Sequence, residues 1–331
     1  MERALEDAPL EHIVPLSGFS QIPRLIEEHD GGKPDTIGLE MDVLPVNMFR
    51  GYQRLFPDAD MIDVSPLIRQ LRVRKSPYEL DILRRAADLA DQLLQRIPGF
   101  IRESETDTDL VLRAEAFYRS QGHPGLSRMR SFNMETLYGH LIAGPSGARP
   151  SATPGPTAGT GPGPFLSQGT AMKRLIPHTP ILVDYTANVE GYLSDQTRIF
   201  SIDTLSEKLH RAHGVMIEAQ EAMAREGKPG VVAKDLYAIA LGIIERAGLM
   251  EGFMGHPQPV PFVGHGVGLE LDEWPVIGRD SEYILEQGMV IALEPKMVFP
   301  GEGVVGIENT FVVSEKGMEK LNQFPDDIVT V

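Results

Sequence analysis

The chain has 331 residues, with 31 Lys and Arg against 47 Asp and Glu, a net charge of −16, and no cysteine. Its 42% hydrophobic and 24% charged content is that of a folded protein of about two domains. The acidic balance argues against nucleic acid or an anionic membrane as the main partner, and the missing cysteines remove disulfides, thiolate metal sites and a Cys nucleophile together.

Residues Met1 to Gly18 are acidic and contain no apolar segment, so they do not read as a signal peptide. No apolar run approaches the ~18 residues of a membrane span. A cytoplasmic protein is therefore expected. Residues 1–74 read as mixed α/β, with strands near Ile37–Leu39 and Asp60–Val64 and a helix over Asn47–Phe56. Ser76-Pro77 with Glu79 is a helix start, and apolar residues recurring every three or four positions predict a helix from Tyr78 to Ile97, ended by Pro98-Gly99. A second helix is expected over Asp107–Arg119.

Between Gly144 and Thr170 lie seven glycines and six prolines, which exclude a regular helix or central strand. The simple expectation is a long surface loop; the functional alternative is a loop packed over a cleft. Beyond Pro180, strands are predicted over Ile181–Thr186, Tyr192–Phe200, Val290–Val298 and Val304–Val313, and helices over Leu205–Ala224 and Ala233–Ala247. His210 and His213, three apart on the first of these helices, read as part of a solvated face. Strands and helices intermix without a βαβ repeat, which indicates an α+β fold.

Five polar residues interrupt apolar strands or stand among glycines: Asp184, Asp195, His265, Glu294 and Glu308. Such charges are costly to bury unless they are paired or hold a metal. Four carboxylates carry −4, which two divalent cations would balance and one would not. An oxygen-rich set with one imidazole suits Mn, Co, Fe or Zn, and paired ions activate water for hydrolysis.

The segments carrying these residues, Val-Asp184, Gly-Tyr-Leu-Ser-Asp195-Gln-Thr-Arg, Gly-His265-Gly-Val-Gly-Leu, Leu-Glu294-Pro and Gly-Ile-Glu308-Asn-Thr, resemble the pita-bread metallopeptidases of family M24. These include prolidase, Xaa-Pro aminopeptidase and methionine aminopeptidase. Arg-Lys-Ser-Pro-Tyr-Glu-Leu-Asp at the helix start is most similar to the Xaa-Pro branch. The resemblance implies a pita-bread (creatinase/aminopeptidase-like) catalytic domain over 75–331, preceded by a partial creatinase-like α/β domain over 1–74. It implies that all five residues ligate two metal ions, that Asp195 and Glu308 bridge them, and that Glu294 is the general base. It also implies a homodimer.

This sequence departs from the family pattern at several positions. The family's His seven residues after its ligand His is here Asp272, and its Pro-His before the first ligand Asp falls in the Gly/Pro-rich loop, where Ser151 and Thr153 are among the occupants. The Arg usual two residues before the last Glu is Gly306. His140, His178 and His256 could substitute in space, and each is otherwise read as a structural histidine. Asp272 is the candidate second catalytic group, and His256 and Glu273 are the candidate substrate contacts. Residues 1–74 resemble only the second half of the branch's N-terminal domain, so a truncation or an upstream start is expected, with strand edges left unpaired.

The function expected is hydrolysis of short peptides with proline, as an Xaa-Pro aminopeptidase or dipeptidase. The absent family histidines keep open a non-peptidase hydrolase or lyase on the same fold, or an inactive binding relative.

Overall fold

The structure, a computed structural model, describes residues 1–130, 138–150 and 155–331. Ser151 and Thr153 lie outside the described residues. The chain divides into two compact units, Met1–Arg69 and Gln70–Val331.

The first unit holds helices α1 (Glu2–Asp7) and α2 (Ile22–Asp30), strand β1 (Thr36–Leu39), helix α3 (Val46–Leu55) and strand β2 (Asp60–Asp63), after which α4 (Ser65–Val73) begins. β1 and β2 pair in parallel, Thr36 opposite Asp60 and Leu39 opposite Asp63. Asp63 Oδ1 accepts from the backbone N–H and the hydroxyl of Ser65, which fixes the turn from β2 into α4.

The second unit opens with α5 (Pro77–Arg102). Ser76 Oγ accepts from Glu79 N, and Glu79 Oε2 accepts from Ser76 N at 2.7 Å, a reciprocal cap that satisfies two free donors of the first turn. α5 does not stop at Pro98-Gly99. Pro98 deletes one ladder hydrogen bond, but Ile97 and Ile101 on either side of it are both buried in one core with α6 (Asp107–Ser120). That packing carries the helix through the proline to Arg102.

β3 (Gly139–Ala143), β4 (Ile181–Val189) and β5 (Tyr192–Ser201) follow, then α7 (Glu207–Glu226) and α8 (Ala233–Ala247). The remaining strands are β6 (Phe262–Gly266), β7 (Glu273–Gly278), β8 (Val290–Leu293), β9 (Lys296–Phe299), β10 (Gly303–Gly306), β11 (Asn309–Ser314), β12 (Gly317–Lys320) and β13 (Val329–Thr330). One sheet has the order β13-β5-β4-β3, and α5 and α6 pack on it. The other has the order β12-β11-β8-β6-β7. α7 and α8 pack beside it and the separate β9–β10 ribbon in the largest core cluster.

Two predicted strands are each broken in two. Val290–Val298 splits at Glu294-Pro295, and Val304–Val313 splits at Ile307-Glu308. Pro295 has no N–H to give a ladder. Glu294 N instead donates to Val263 O at 2.9 Å, and Ile307 N donates to Pro295 O at 3.2 Å. At these breaks the chain leaves the five-stranded sheet for the β9–β10 ribbon and then returns, so both breaks fall at a candidate ligand.

The Gly/Pro-rich segment is not simply a surface loop. Pro156 to Gly159 are buried, and a Cβ on Gly159 (φ +81°) would lie 2.5 Å from Gly169 O. His213 is likewise buried rather than solvated, with Nε2 2.8 Å from Asp326 O.

Candidate metal centre

The five candidate ligands come from both sheets. Asp184 stands on β4 and Asp195 on β5; His265 stands on β6; Glu294 and Glu308 stand at the two strand breaks. Two glycines set how closely β6, which carries His265, packs within its own sheet. A Cβ on Gly264 would lie 2.4 Å from Ala292 O, and one on Gly266 would lie 2.1 Å from Trp274 O. Only residues without a side chain let β6 sit between β7 and β8 at that distance.

A network of fully paired polar groups holds the two sheets in register at the site. Thr197 and Glu308 exchange backbone hydrogen bonds at 3.2 and 3.3 Å. Arg198 is completely buried, and its guanidinium donates to Thr197 O and Glu308 O at 2.9 Å, to Asn309 Oδ1 and Asp326 Oδ1 at 2.8 Å, and to Phe324 O and Pro325 O at 2.7 Å. Burial nevertheless lowers its pKa to about 10, with Asp326 and Asp91 pulling the other way. Asn309 Nδ2 donates to Gln220 Oε1, and Gln220 Nε2 to Leu293 O, the carbonyl just before Glu294. Thr310 Oγ1 accepts from Asp195 N and donates to Asp195 O, both at 2.9 Å. The backbone at Asp195, Glu294 and Glu308 is thus fixed by hydrogen bonds that make no direct use of the carboxylates.

Three of the four carboxylates, those of Asp195, Glu294 and Glu308, converge on His265. Nε2 lies 3.9 Å from Asp195 Oδ2, 3.9 Å from Glu294 Oε1 and 3.8 Å from Glu308 Oε1. These separations are too long for hydrogen bonds, and they suit groups arranged around a common centre. Asp195, His265 and Glu308 each offer an atom within 4.8 Å of the others, and all three residues are buried. Asp195 Oδ1 is buried with no hydrogen-bond partner among the described residues. His265 Nδ1 lies 3.1 Å from Gly266 O, an arrangement that places a proton on Nδ1 and turns Nε2 toward the carboxylates.

The electrostatics report an excess of negative charge. Burial, then Glu308 and Asp184, push Asp195 well above the usual carboxylate range. Burial raises Glu308 to about 7, with Lys296 opposing and Glu294 and Asp184 assisting. Burial would lower His265, but Asp272, Glu294, Asp195 and Glu308 outweigh it and hold the imidazole up to about 9. A divalent ion among these groups would offset the mutual repulsion that raises Asp195 and Glu308. The donor set of carboxylates and one imidazole fits such an ion.

One residue escaped the sequence reading. Lys296, 2% exposed, places Nζ 3.0 Å from Asp184 Oδ2, 2.8 Å from Glu294 Oε2 and 2.9 Å from Glu308 Oε2. Burial works against its charge, yet the three carboxylates outweigh that and hold its pKa well above the ordinary value. The two-ion charge balance omitted this ammonium. A signal was present: residues two apart on extended chain share a face, and Lys296 stands two beyond Glu294 in an otherwise apolar run.

Asp272 Oδ1 lies 3.6 Å from His265 Nδ1, on the ring edge away from the carboxylates, and its side chain is 45% exposed. Glu273 is buried and engaged by Lys75 Nζ at 2.7 Å and by the backbone N–H groups of Leu269 and Glu270, so it has a structural place. His256 is half-buried in the turn before β6, with no described contact to the cluster. His178 bonds through Nδ1 to Thr204 O at 2.9 Å, a structural role. His140 lies directly opposite Asp184 across β3–β4, and its Nδ1 is buried without a partner among the described residues.

The sequence pattern of metallopeptidase family M24 matches residues 81–315, and that of the creatinase/prolidase N-terminal domain matches residues 1–74. The chain belongs to metallopeptidase family M24. A similar relative is the Xaa-Pro dipeptidase of Pyrococcus furiosus, 26% identical over 97% of this chain and 82% of its own. Another is an uncharacterized peptidase, YqhT, of Bacillus subtilis, 29% identical over 88% of this chain and 74% of its own. Among solved structures, the Xaa-Pro dipeptidase from Bacillus anthracis superposes with a TM-score of 0.83 at 26% identity, covering 100% of this chain and 84% of that one. As an M24 protein the chain has the pita-bread fold after a creatinase/prolidase-type N-terminal domain. Among the described residues no helix is long and apolar enough to cross a membrane.

Proposed function

We propose that this M24 protein is a metal-dependent hydrolase of short peptides, acting next to proline as an aminopeptidase or dipeptidase. The observation that carries this is the convergence of Asp195, Glu294 and Glu308 on His265 Nε2, with Asp195 Oδ1 left without a partner among the described residues. The Xaa-Pro names of its relatives supply the substrate class.

Asp195, His265 and Glu308 would hold a divalent ion; Mn²⁺, Co²⁺, Fe²⁺ and Zn²⁺ all suit that set. When bound, such an ion lowers the pKa of water and polarises a carbonyl. The chain's own groups do the rest. Glu294 has one oxygen anchored by Lys296 and the other facing His265, which leaves Oε1 to accept a proton from an attacking water. Glu308 divides its oxygens in the same way, and Thr197 Oγ1 steadies Oε2 at 2.8 Å. His140, paired with Asp184 across β3–β4, is the candidate imidazole for a substrate contact in this reading. Homodimerisation belongs to the same reading and is checked by light scattering.

The deciding experiment is a panel of Xaa-Pro dipeptides and tripeptides with protein reloaded with Mn²⁺ or Co²⁺, and Asp195→Asn as control. Cleavage by the wild type that falls by roughly 10²–10⁴ in the variant, the loss of several kcal/mol of charge stabilisation, is expected. No cleavage of any member by metal-loaded protein would overturn the peptidase reading.

A second reading is a non-peptidase hydrolase or lyase on the same centre. It is favoured by Asp272, whose carboxylate faces His265 Nδ1 and offers acceptors where the family has an imidazole. Turnover of non-peptide amides by protein inert toward the panel would support it.

A further inference from the structure

We propose that the centre takes one divalent ion, at Asp195, His265 and Glu308, and that the ammonium of Lys296 stands in the place of a second. This rests on reading the cluster as a metal centre. The site has two cation positions that share carboxylates. Glu294 and Glu308 each turn Oε1 toward His265 Nε2, at 3.9 and 3.8 Å, and Oε2 toward Lys296 Nζ, at 2.8 and 2.9 Å. Asp184 completes the second position through Oδ2, 3.0 Å from Nζ.

An ammonium has three N–H donors, and here three carboxylates meet them. A second ion would need those same oxygens at about 2.0–2.2 Å and would have to sit almost where Nζ is. Charge alone does not choose. With four carboxylates and the ammonium, one divalent ion leaves a net −1 and two leave +1. Position chooses.

The lysine is also built in. Every residue of β9 is buried, so an ammonium pushed out of the cluster would lose its carboxylate partners without gaining water. Its neighbour across the β9–β10 ribbon is Gly306, where a Cβ would lie 2.9 Å from Lys296 Cγ. The missing side chain at 306 makes the room that the lysine stem fills.

The test is the metal count. Chelator-stripped wild type titrated with Mn²⁺ by calorimetry is expected to bind one ion per chain, with the hyperfine-split electron paramagnetic resonance spectrum of an isolated ion. Lys296→Ala is expected to bind two, with an exchange-coupled spectrum. Two ions in the wild type, or one ion still in a folded Lys296→Ala, would overturn the inference while leaving the metallohydrolase reading intact. No ion in the wild type would instead overturn that reading. Should Lys296→Ala fail to fold, the wild-type count and spectrum decide alone.

Discussion

Gly306 and Lys296 face each other across the β9–β10 ribbon, and the absence of a side chain at the first is what lets the second reach Asp184, Glu294 and Glu308. A methyl group at 306 would meet Pro295 O at 2.5 Å and Lys296 Cα at 2.7 Å, so the backbone must shift. Gly306→Ala is expected to lower stability by about 1–3 kcal/mol. It should also weaken Mn²⁺ binding through the displaced carboxylates. A urea midpoint unchanged from wild type would contradict the packing described.

Thr197→Val removes the hydroxyl that fixes Glu308 Oε2 while keeping the shape of the side chain. The stability cost should be about 1 kcal/mol. Metal affinity should fall roughly 10–100-fold, the usual effect of losing a hydrogen bond to a ligand. Calorimetric titration against wild type checks this, and an equal affinity would show that Glu308 is not oriented by Thr197.

Arg198 answers backbone carbonyls of Thr197, Glu308, Phe324 and Pro325 from a fully buried position. Arg198→Met would leave these oxygens and Asp326 without their donor. A loss of about 3–5 kcal/mol is expected. Chemical denaturation followed by circular dichroism measures it; a loss below about 1 kcal/mol would mean that water replaces the guanidinium.

His213 donates through Nε2 to Asp326 O, and burial holds its pKa below the ordinary 6.5, with the nearby Arg198 and His210 acting in the same direction and Asp327 against it. Its unfolded form therefore binds the proton first as pH falls. The stability it contributes is complete above about pH 6.5 and is lost on acidification toward the lower folded value. His213→Gln should flatten the decline between pH 7.5 and pH 5.5, read as the difference in urea midpoint between variant and wild type with chelator present. Parallel profiles would exclude the buried neutral imidazole.

Much of this protein was legible in its sequence. The helices from Ser76 and over Ala233–Ala247 follow from apolar periodicity and caps, which are local. The five polar residues at the site stood out because charge inside apolar strands demands a partner, and their spacing resembled one family. The structure gathers Asp195, Glu294 and Glu308 around His265 and joins Asp184 to Glu294 and Glu308 through Lys296.

What sequence alone did not decide depends on contacts distant along the chain. α5 runs through Pro98 because Ile97 and Ile101 are packed by other elements. The strand at Glu294 breaks because Pro295 has no N–H to give a ladder, and the strand at Glu308 breaks where Glu308 exchanges backbone hydrogen bonds with Thr197 of the other sheet. Glu273 is paired with Lys75, far earlier in the chain. The charge balance of the centre turned on Lys296, whose stem needs the space beside Gly306 before its ammonium can reach three carboxylates. Residue types and spacing determine which groups need a counter-charge; only the tertiary packing decides whether a metal or the chain itself supplies it.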